Sequence, residues 1–330
     1  MTRPQPADDR ALWLARADAA WSALARRTFV GCGGRRWVRE PSHVRAVALW
    51  PFSQVLHAGV SAAAPETAVL LRALESYRRG SAYAERPRGR RRYYDDNAWV
   101  GLALLERGHV AEAARLLAFL RQGSVPQADG SIGVLWAEGG ESLHACSTGS
   151  TGLVALRLAA ATEVERTARV GLARGCTSFL EGLLDADGLV ADNRQADGSV
   201  DPAVYTYNQA LLIGLLVGLG REGEAVAVAR HVVAAFDPVR LWAHPPAFNA
   251  ILVRELLRLD AARPDAGLRA WCTEYLSRVW SEARDPVTGL FTGGGIGHYD
   301  AGVVLDHAAL TGAMAALASA GAPDPGHTPP

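Results

Sequence analysis

Connections between helical stretches alternate between very short and long, and this alternation constrains the fold more than any other feature of the chain. Apolar residues recur at spacings of three and four within Ala-, Leu-, Arg- and Glu-rich stretches, the period of a helix with a buried face. About twelve such stretches are predicted, near residues 8–27, 43–61, 66–79, 96–107, 110–122, 144–161, 165–183, 204–219, 222–236, 246–260, 265–283 and 299–320. Tight joints occur at Glu106-Arg107-Gly108-His109, at Gly218-Leu219-Gly220-Arg221 and from Asp260 to Pro264. Long joints rich in Gly, Asp and Pro run from Gln122 to Gly140, Asp185 to Pro202, Asp237 to Pro246 and Asp285 to His298. A tight joint forces its two helices to pack antiparallel. Such hairpins closed into a ring predict an all-α (α/α)6 barrel of about twelve helices, with tight turns at one end and long loops at the other. Long loops on a rigid scaffold are where function concentrates. An open helical solenoid would carry a residue-level repeat of fixed period, and none is read in this sequence.

No Pro-rich linker divides the chain, so residues 1–320 are expected to form one catalytic domain, followed by a flexible tail at 321–330. Hydrophobic residues make up 49% of the 330, enough for a large core. The 34 Lys and Arg balance the 34 Asp and Glu, which leaves no global field to hold nucleic acid or an anionic membrane. No apolar run reaches the roughly 18 residues of a membrane span. The first ten residues lack the apolar core of a signal peptide, so a cytoplasmic protein is expected. Nothing in the sequence asks for a second chain, and a monomer is expected. Cys32, Cys146, Cys176 and Cys272 are far apart, form no C-x-x-C pair, and read as buried thiols. The nine histidines show no ligand spacing, so no metal site is expected from them.

The chemistry gathers at Tyr93-Tyr94-Asp95-Asp96-Asn97-Ala98-Trp99, on the long-loop side of the pattern. Asp is a favoured helix N-cap, and a second acid suits the positive end of the helix dipole. Capping accounts for the acids but not for three aromatic residues and an amide within seven positions. Aromatic faces stack on sugar rings, while carboxylates and amides grip hydroxyls. Glycosidic cleavage uses two carboxyl groups, about 5–5.5 Å apart in retaining enzymes. Neighbouring residues at a helix start can reach that separation, and two close carboxylates push their pKa values apart.

A second cluster, Tyr205-Thr206-Tyr207-Asn208-Gln209, follows the polar loop Asp192-Asn193-Arg194-Gln195. A third is Phe248-Asn249-Ala250-Ile251-Leu252-Val253-Arg254. Arg254 lies on a mainly apolar helix, where it is either half of an ion pair or a substrate contact. With Trp136 and His144 from the long loops, the candidate sugar contacts are Tyr94, Asn97, Trp99, Trp136, His144, Asp192, Tyr205, Tyr207, Asn208, Phe248 and Arg254.

These three clusters, in this order and at this spacing, resemble the signatures of family-76 glycoside hydrolases, which include bacterial and fungal endo-α-1,6-mannanases. The resemblance spans roughly residues 35–318, with weaker echoes at Gly130–Trp136 and Val304–Ala309. It implies an (α/α)6 barrel and a retaining mechanism without metal or organic cofactor. It also implies Asp95 as nucleophile, Asp96 as acid/base, and Tyr205, Tyr207 and Asn208 along the groove. A mannose-containing oligosaccharide or glycoconjugate is the implied partner. The chain departs from the family pattern at Ala210, at Asn249-Ala250 and at His144-Ala145-Cys146-Ser147-Thr148.

Arg86, Arg88, Arg90, Arg91 and Arg92 precede the Asp pair as either a solvated loop or a grip for an anionic substrate. Gly293-Gly294-Gly295-Ile296-Gly297 lacks the strand and the Gly-Lys-Ser/Thr of a phosphate cradle. Two other readings stay open at this stage: a carbohydrate-binding protein without catalysis, and an epimerase or tailoring enzyme on the same barrel with His144 or His298 as base.

Overall fold

Six helices are buried around most of their circumference, and these form the inner wall. The computed structural model describes residues 6–32, 35–292 and 302–320; the expected tail at 321–330, the glycine run Gly293–Gly297 and His298 lie outside them. In chain order the helices are α1 (Pro6–Thr28), α2 (Leu49–Ser61), α3 (Thr67–Leu74), α4 (Tyr94–Glu106), α5 (Val110–Leu120), α6 (Ala145–Ala161), α7 (Arg166–Glu181), α8 (Thr206–Gly218), α9 (Glu222–Ala235), α10 (Pro238–Ala243), α11 (Pro246–Ala262), α12 (Ala266–Arg278) and α13 (Val303–Ser319). Helices α2, α4, α6, α8, α11 and α13 each pack on the next, and α13 returns to α2. The ring is therefore closed: this is an (α/α)6 barrel. Helices α1, α3, α5, α7, α9 and α12 lie outside it.

Sequence pattern sorts the two layers. Outer α5 buries Ala113, Leu116, Leu117, Phe119 and Leu120, one side of the helix, while Ala111 and Ala118 stay exposed. Inner α8 buries every residue from Asn208 to Leu216, because both its faces meet protein. Each inner helix runs out of a long connection and into a tight turn or, for α13, toward the chain end. Their N-termini, with unsatisfied N–H groups and the positive ends of their dipoles, therefore collect at one end of the barrel. No helix among the described residues is long and apolar enough to cross a membrane.

The structure corrects several expected boundaries. The helix expected over 43–61 begins at Leu49, and residues 43–48 are loop. Pro51 falls in its first turn, where its missing N–H costs nothing. The stretch 66–79 ends as helix at Leu74 and passes through a 3₁₀ turn, and 265–283 finishes in a π-helical turn over Val279–Ala283. The Asp237–Pro246 joint holds the short helix α10, whose N-cap Asp237 accepts from Val239 and Arg240.

The long joints also hold β-hairpins that the helical reading did not anticipate. Two carry the same pentapeptide, Gln-Ala-Asp-Gly-Ser, at 127–131 and 195–199. In each, the Gln N–H donates to the Ser carbonyl at 2.8 Å and the Asp side chain accepts from the Ser N–H at 2.9 Å. Gly130 (φ +82°) and Gly198 (φ +87°) occupy the left-handed region these turns need.

Five inner helices share one device. The side chain at the fourth or fifth helical position reaches back and binds the backbone of the preceding loop. Asn97 accepts from the Tyr83 N–H (2.8 Å) and donates to the Tyr83 carbonyl (2.9 Å), as a neighbouring strand would. Gln209 does the same to Val190, at 2.8 and 2.9 Å. Thr148 accepts from Val134, Asn249 donates to the Leu241 carbonyl, and His307 accepts from Phe291. These buried polar groups are satisfied, and they fix the loops that wall the open end.

Packing between inner helices is close where they carry glycine. A Cβ added to Gly149 on α6 would lie 2.6 Å from Leu211 Cβ on α8, closer than carbon atoms tolerate. Gly149→Ala is therefore expected to cost about 1–3 kcal/mol by forcing the helices apart. A denaturant midpoint unchanged from wild type would contradict this.

Candidate active site

A cavity of about 1070 Å³ opens at the end where the inner helices begin. The second residue of several inner helices points into it: Trp50 on α2, Asp95 on α4, Cys146 on α6 and Tyr207 on α8. Phe248, the third residue of α11, and Asp96, the third of α4, join them. Loops add Glu85, Arg86, Tyr93, Trp136, His144 and Asp192.

The two aspartates lie half-buried in the cavity wall. Asp95 Oδ2 accepts from the Trp136 indole N–H at 3.3 Å and from the Cys146 thiol at 3.5 Å. Burial lifts the Asp95 carboxyl to about 6, while the Asp96 backbone N–H, Cys146 and Trp136 favour its charged form and limit the rise. Among the described residues Asp96 has no such donors. Burial raises it well above the usual carboxylate range, and the negative charges of Asp95 and Glu85 raise it further. The two neighbouring carboxyls thus differ in surroundings: hydrogen-bond donors favour the charged form of Asp95, while burial and two nearby negative charges favour the protonated form of Asp96.

Aromatic faces flank the pair on both sides. Trp136, 42% exposed, packs on Tyr93 (centroids 4.9 Å apart) and on His144 (5.4 Å, nearly parallel). The Arg91 guanidinium lies over the Tyr93 ring at 4.9 Å. The Tyr94 N–H donates to the Trp136 carbonyl at 2.9 Å, which pins that loop beside Asp95. Across the cavity Phe248 contacts Tyr207 (4.3 Å), Tyr205 (5.4 Å) and Trp50 (5.7 Å). The Tyr207 hydroxyl bonds the Cys146 sulfur, linking this wall to the donor of Asp95. His144 is 3.9 Å from Asp192 Oδ2; burial lowers its pKa, so the ring is neutral near pH 7 and can bind hydroxyls.

Of the candidates read from the sequence, Asp95, Asp96, Trp99, Trp136, His144, Asp192, Tyr205, Tyr207 and Phe248 line this one cavity. Four do not. Tyr94 is buried against Phe119, its ring stacked at 4.9 Å. Asn97 is the clamp on Tyr83 described above. Asn208 donates to Asp192 Oδ1 at 3.2 Å and acts through that residue. Arg254 lies deeper, outside the cavity lining, donating to the Gln54 side chain at 3.1 Å; among the described residues it makes no ion pair, although Glu106 and Glu255 are near enough to act on its charge.

Sequence reasoning passed over Trp50, Glu85 and Cys146, which also line the cavity. Aligning the inner helices on their starts would have found Trp50 and Cys146, since both hold the second position that Asp95 and Tyr207 hold. Glu85 has no such signal, because it enters from a loop.

Comparison with known proteins bears on this geometry. No family model matches the chain. The Meiotically up-regulated gene 191 protein of Schizosaccharomyces pombe is 30% identical over a match that covers 39% of this chain. The chain spans only 34% of that protein's length. Among solved structures, a family-76 glycoside hydrolase (mannosidase) from Bacteroides thetaiotaomicron superposes with a TM-score of 0.79 at 20% identity, covering 93% of this chain and 98% of that one. The α-1,6-mannanase of Salegentibacter sp. HEL1_6 superposes with a TM-score of 0.74 at 20% identity, covering 93% and 99%. An inactive variant of that enzyme, with two adjacent aspartates replaced by asparagine, is known in complex with α-1,6-mannotriose; it covers 92% and 99% at 20% identity and a TM-score of 0.73. The fold of this chain is that of the family-76 glycoside hydrolases.

Proposed function

We propose that the protein is a retaining glycoside hydrolase that cleaves α-mannosidic bonds within α-1,6-linked chains. The observation that carries this reading is the adjacent pair Asp95 and Asp96 in the wall of an aromatic-lined cavity, with hydrogen-bond donors on Asp95 alone. The fold neighbours support the sugar, since a mannotriose complex is known for one of them.

In this reading the Asp95 carboxylate attacks the anomeric carbon while the Asp96 carboxylic acid protonates the departing oxygen. A sugar ester on Asp95 results. Asp96, now a carboxylate, takes a proton from water as that water attacks the same carbon and frees Asp95. The Trp136 N–H and the Cys146 thiol hold the attacking carboxylate in place. Trp136, Tyr205, Tyr207 and Phe248 offer stacking faces to successive sugar rings.

Digestion of α-1,6-mannotetraose, followed by proton NMR, tests the proposal. Shorter oligosaccharides released first as the α-anomer are expected. First release of the β-anomer would refute retention, and binding without any product would leave a carbohydrate-binding protein. The pH dependence follows from the pair. Activity should be lost as pH falls through about 6, where Asp95 takes a proton, and lost again at higher pH where Asp96 gives its proton up. A profile with no acid limb near 6 would contradict the assigned roles.

A further inference from the structure

The cavity has two unlike sides. The side built by α8 and α11 is aromatic. The opposite side, built by the loop before α2 and the segment before α4, presents His43, Arg45 and Arg86. Arg86 Nη1 donates to the Ala46 carbonyl at 3.4 Å, which ties it to the loop that carries Arg45. Two nearby arginines are already engaged: Arg78 pairs with Glu75 and Glu112 (3.0 Å), and Arg92 with Glu138. Among the described residues, neither Arg45 nor Arg86 is within ion-pair distance of a carboxylate. Glu40 lies on the same side, but both its oxygens accept from the Val304 N–H, at 3.2 and 3.3 Å, so it caps α13. Glu85 is the neighbour of Asp96.

A neutral mannan offers only hydroxyls, for which aromatic faces, carboxylates and amides suffice. Guanidinium groups select oxyanions, which they bind through paired charged hydrogen bonds. We propose that Arg45 and Arg86 form a subsite for an anionic oxygen group on the sugar chain, phosphate or carboxylate, so that the preferred substrate is an anionic mannoside. This rests on the glycosidase reading and names the substrate class of the same cavity.

The test compares kcat/KM for α-1,6-mannotriose, its phosphorylated form and its uronic-acid form, with calorimetric binding of each. The wild-type enzyme should favour at least one charged form by about tenfold or more, and the preference should shrink as salt rises. The phosphate and carboxylate arms show which oxyanion is taken. In the Arg45→Gln/Arg86→Gln double variant, activity on that form should fall about tenfold more than activity on the neutral trisaccharide. Melting curves check that the variant is folded. Equal activity on neutral and charged forms, or equal loss on both in the variant, would overturn the subsite while leaving the hydrolase reading intact. Tighter binding of a charged form without cleavage of any would sustain the subsite and refute the hydrolase. No binding of any form would refute both.

Discussion

Replacing Asp95 by Asn should lower kcat/KM for α-1,6-mannooligosaccharides on the order of 10⁴-fold or more while raising the melting temperature at neutral pH. In the proposed mechanism the activity loss follows from removing the carboxylate that attacks the anomeric carbon. The stability gain follows from linkage. The folded protein raises the Asp95 carboxyl from 3.8 to about 6 because burial penalises its charge. A group raised in this way contributes its full stability below the unfolded value and loses it as pH climbs through the folded value. Above about pH 6 the charged Asp95 is therefore a cost. A shift of this size corresponds to at most ~3 kcal/mol, and screening at the open cavity reduces that to about 1–2 kcal/mol. A melting point a few degrees higher at pH 7, with the difference vanishing toward pH 4, is the expected pattern. Asp96→Asn should behave differently with an aryl mannoside. Its leaving group needs no proton, so the first step survives and the sugar ester on Asp95 accumulates. Wild-type hydrolysis by Asp95→Asn, with activity lost instead in His144→Ala, would replace the hydrolase by proton-abstraction chemistry on the same barrel.

At the tight-turn end, Glu255→Ala should destabilise the protein by about 3–5 kcal/mol. Four inner helices meet there through buried charge. Glu255 accepts from Arg157 at 2.9 Å and from Arg258 at 2.5 Å. Glu106 accepts from His57 at 3.1 Å, lies 3.6 Å from Arg157 and also pairs with Arg258. Burial alone would raise both glutamates, but the arginines, joined by His57 at Glu106, hold them below the usual carboxylate range. His57 is pushed down to about 4, chiefly by burial, and is neutral near pH 7. Removing Glu255 leaves the half-buried Arg157 and Arg258 facing one carboxylate in place of two. The cost is a large share of the net stability of a folded domain. A fall in melting temperature on the order of 5–10 °C should accompany near-normal activity at low temperature, because the cluster lies away from the cavity. An unchanged melting point would show that this cluster does not hold the ring closed. The glutamates work the other way from Asp95: with pKa values lowered, their contribution is present above the unfolded value and is lost as acid protonates them.

The barrel was legible because it rests on periodicity and joint length, both local in the chain. The stripe Ala113, Leu116, Leu117 and Leu120 marks an outer helix, and the unbroken run of residues without charge or polar side chain after Gln209 an inner one. The Asp95-Asp96 pair was legible because its aromatic density exceeds what capping requires. The hairpins were passed over although both announce themselves by Asp-Gly, since strands of three to five residues carry too little alternation to register beside long helices. Arg254, Asn97, Tyr94 and Asn208 fall inside the same motifs as the cavity residues. Motif membership could not sort them, because neighbouring residues on a helix start point about 100° apart.

From the sequence alone come the helical class of the fold, the alternation of joints and the adjacent carboxyls. These depend on residue type and spacing, which the chain carries in one dimension. Tertiary structure decided which way each side chain faces and what it meets. Ring closure brings Trp50, Cys146, Tyr207 and Phe248 around Asp95 from four other helices. Burial with unequal donors then places the two carboxyls in unlike electrostatic surroundings. No reading of adjacent residues could assign that difference, because it comes from the desolvation, charges and hydrogen bonds that folding places around each group.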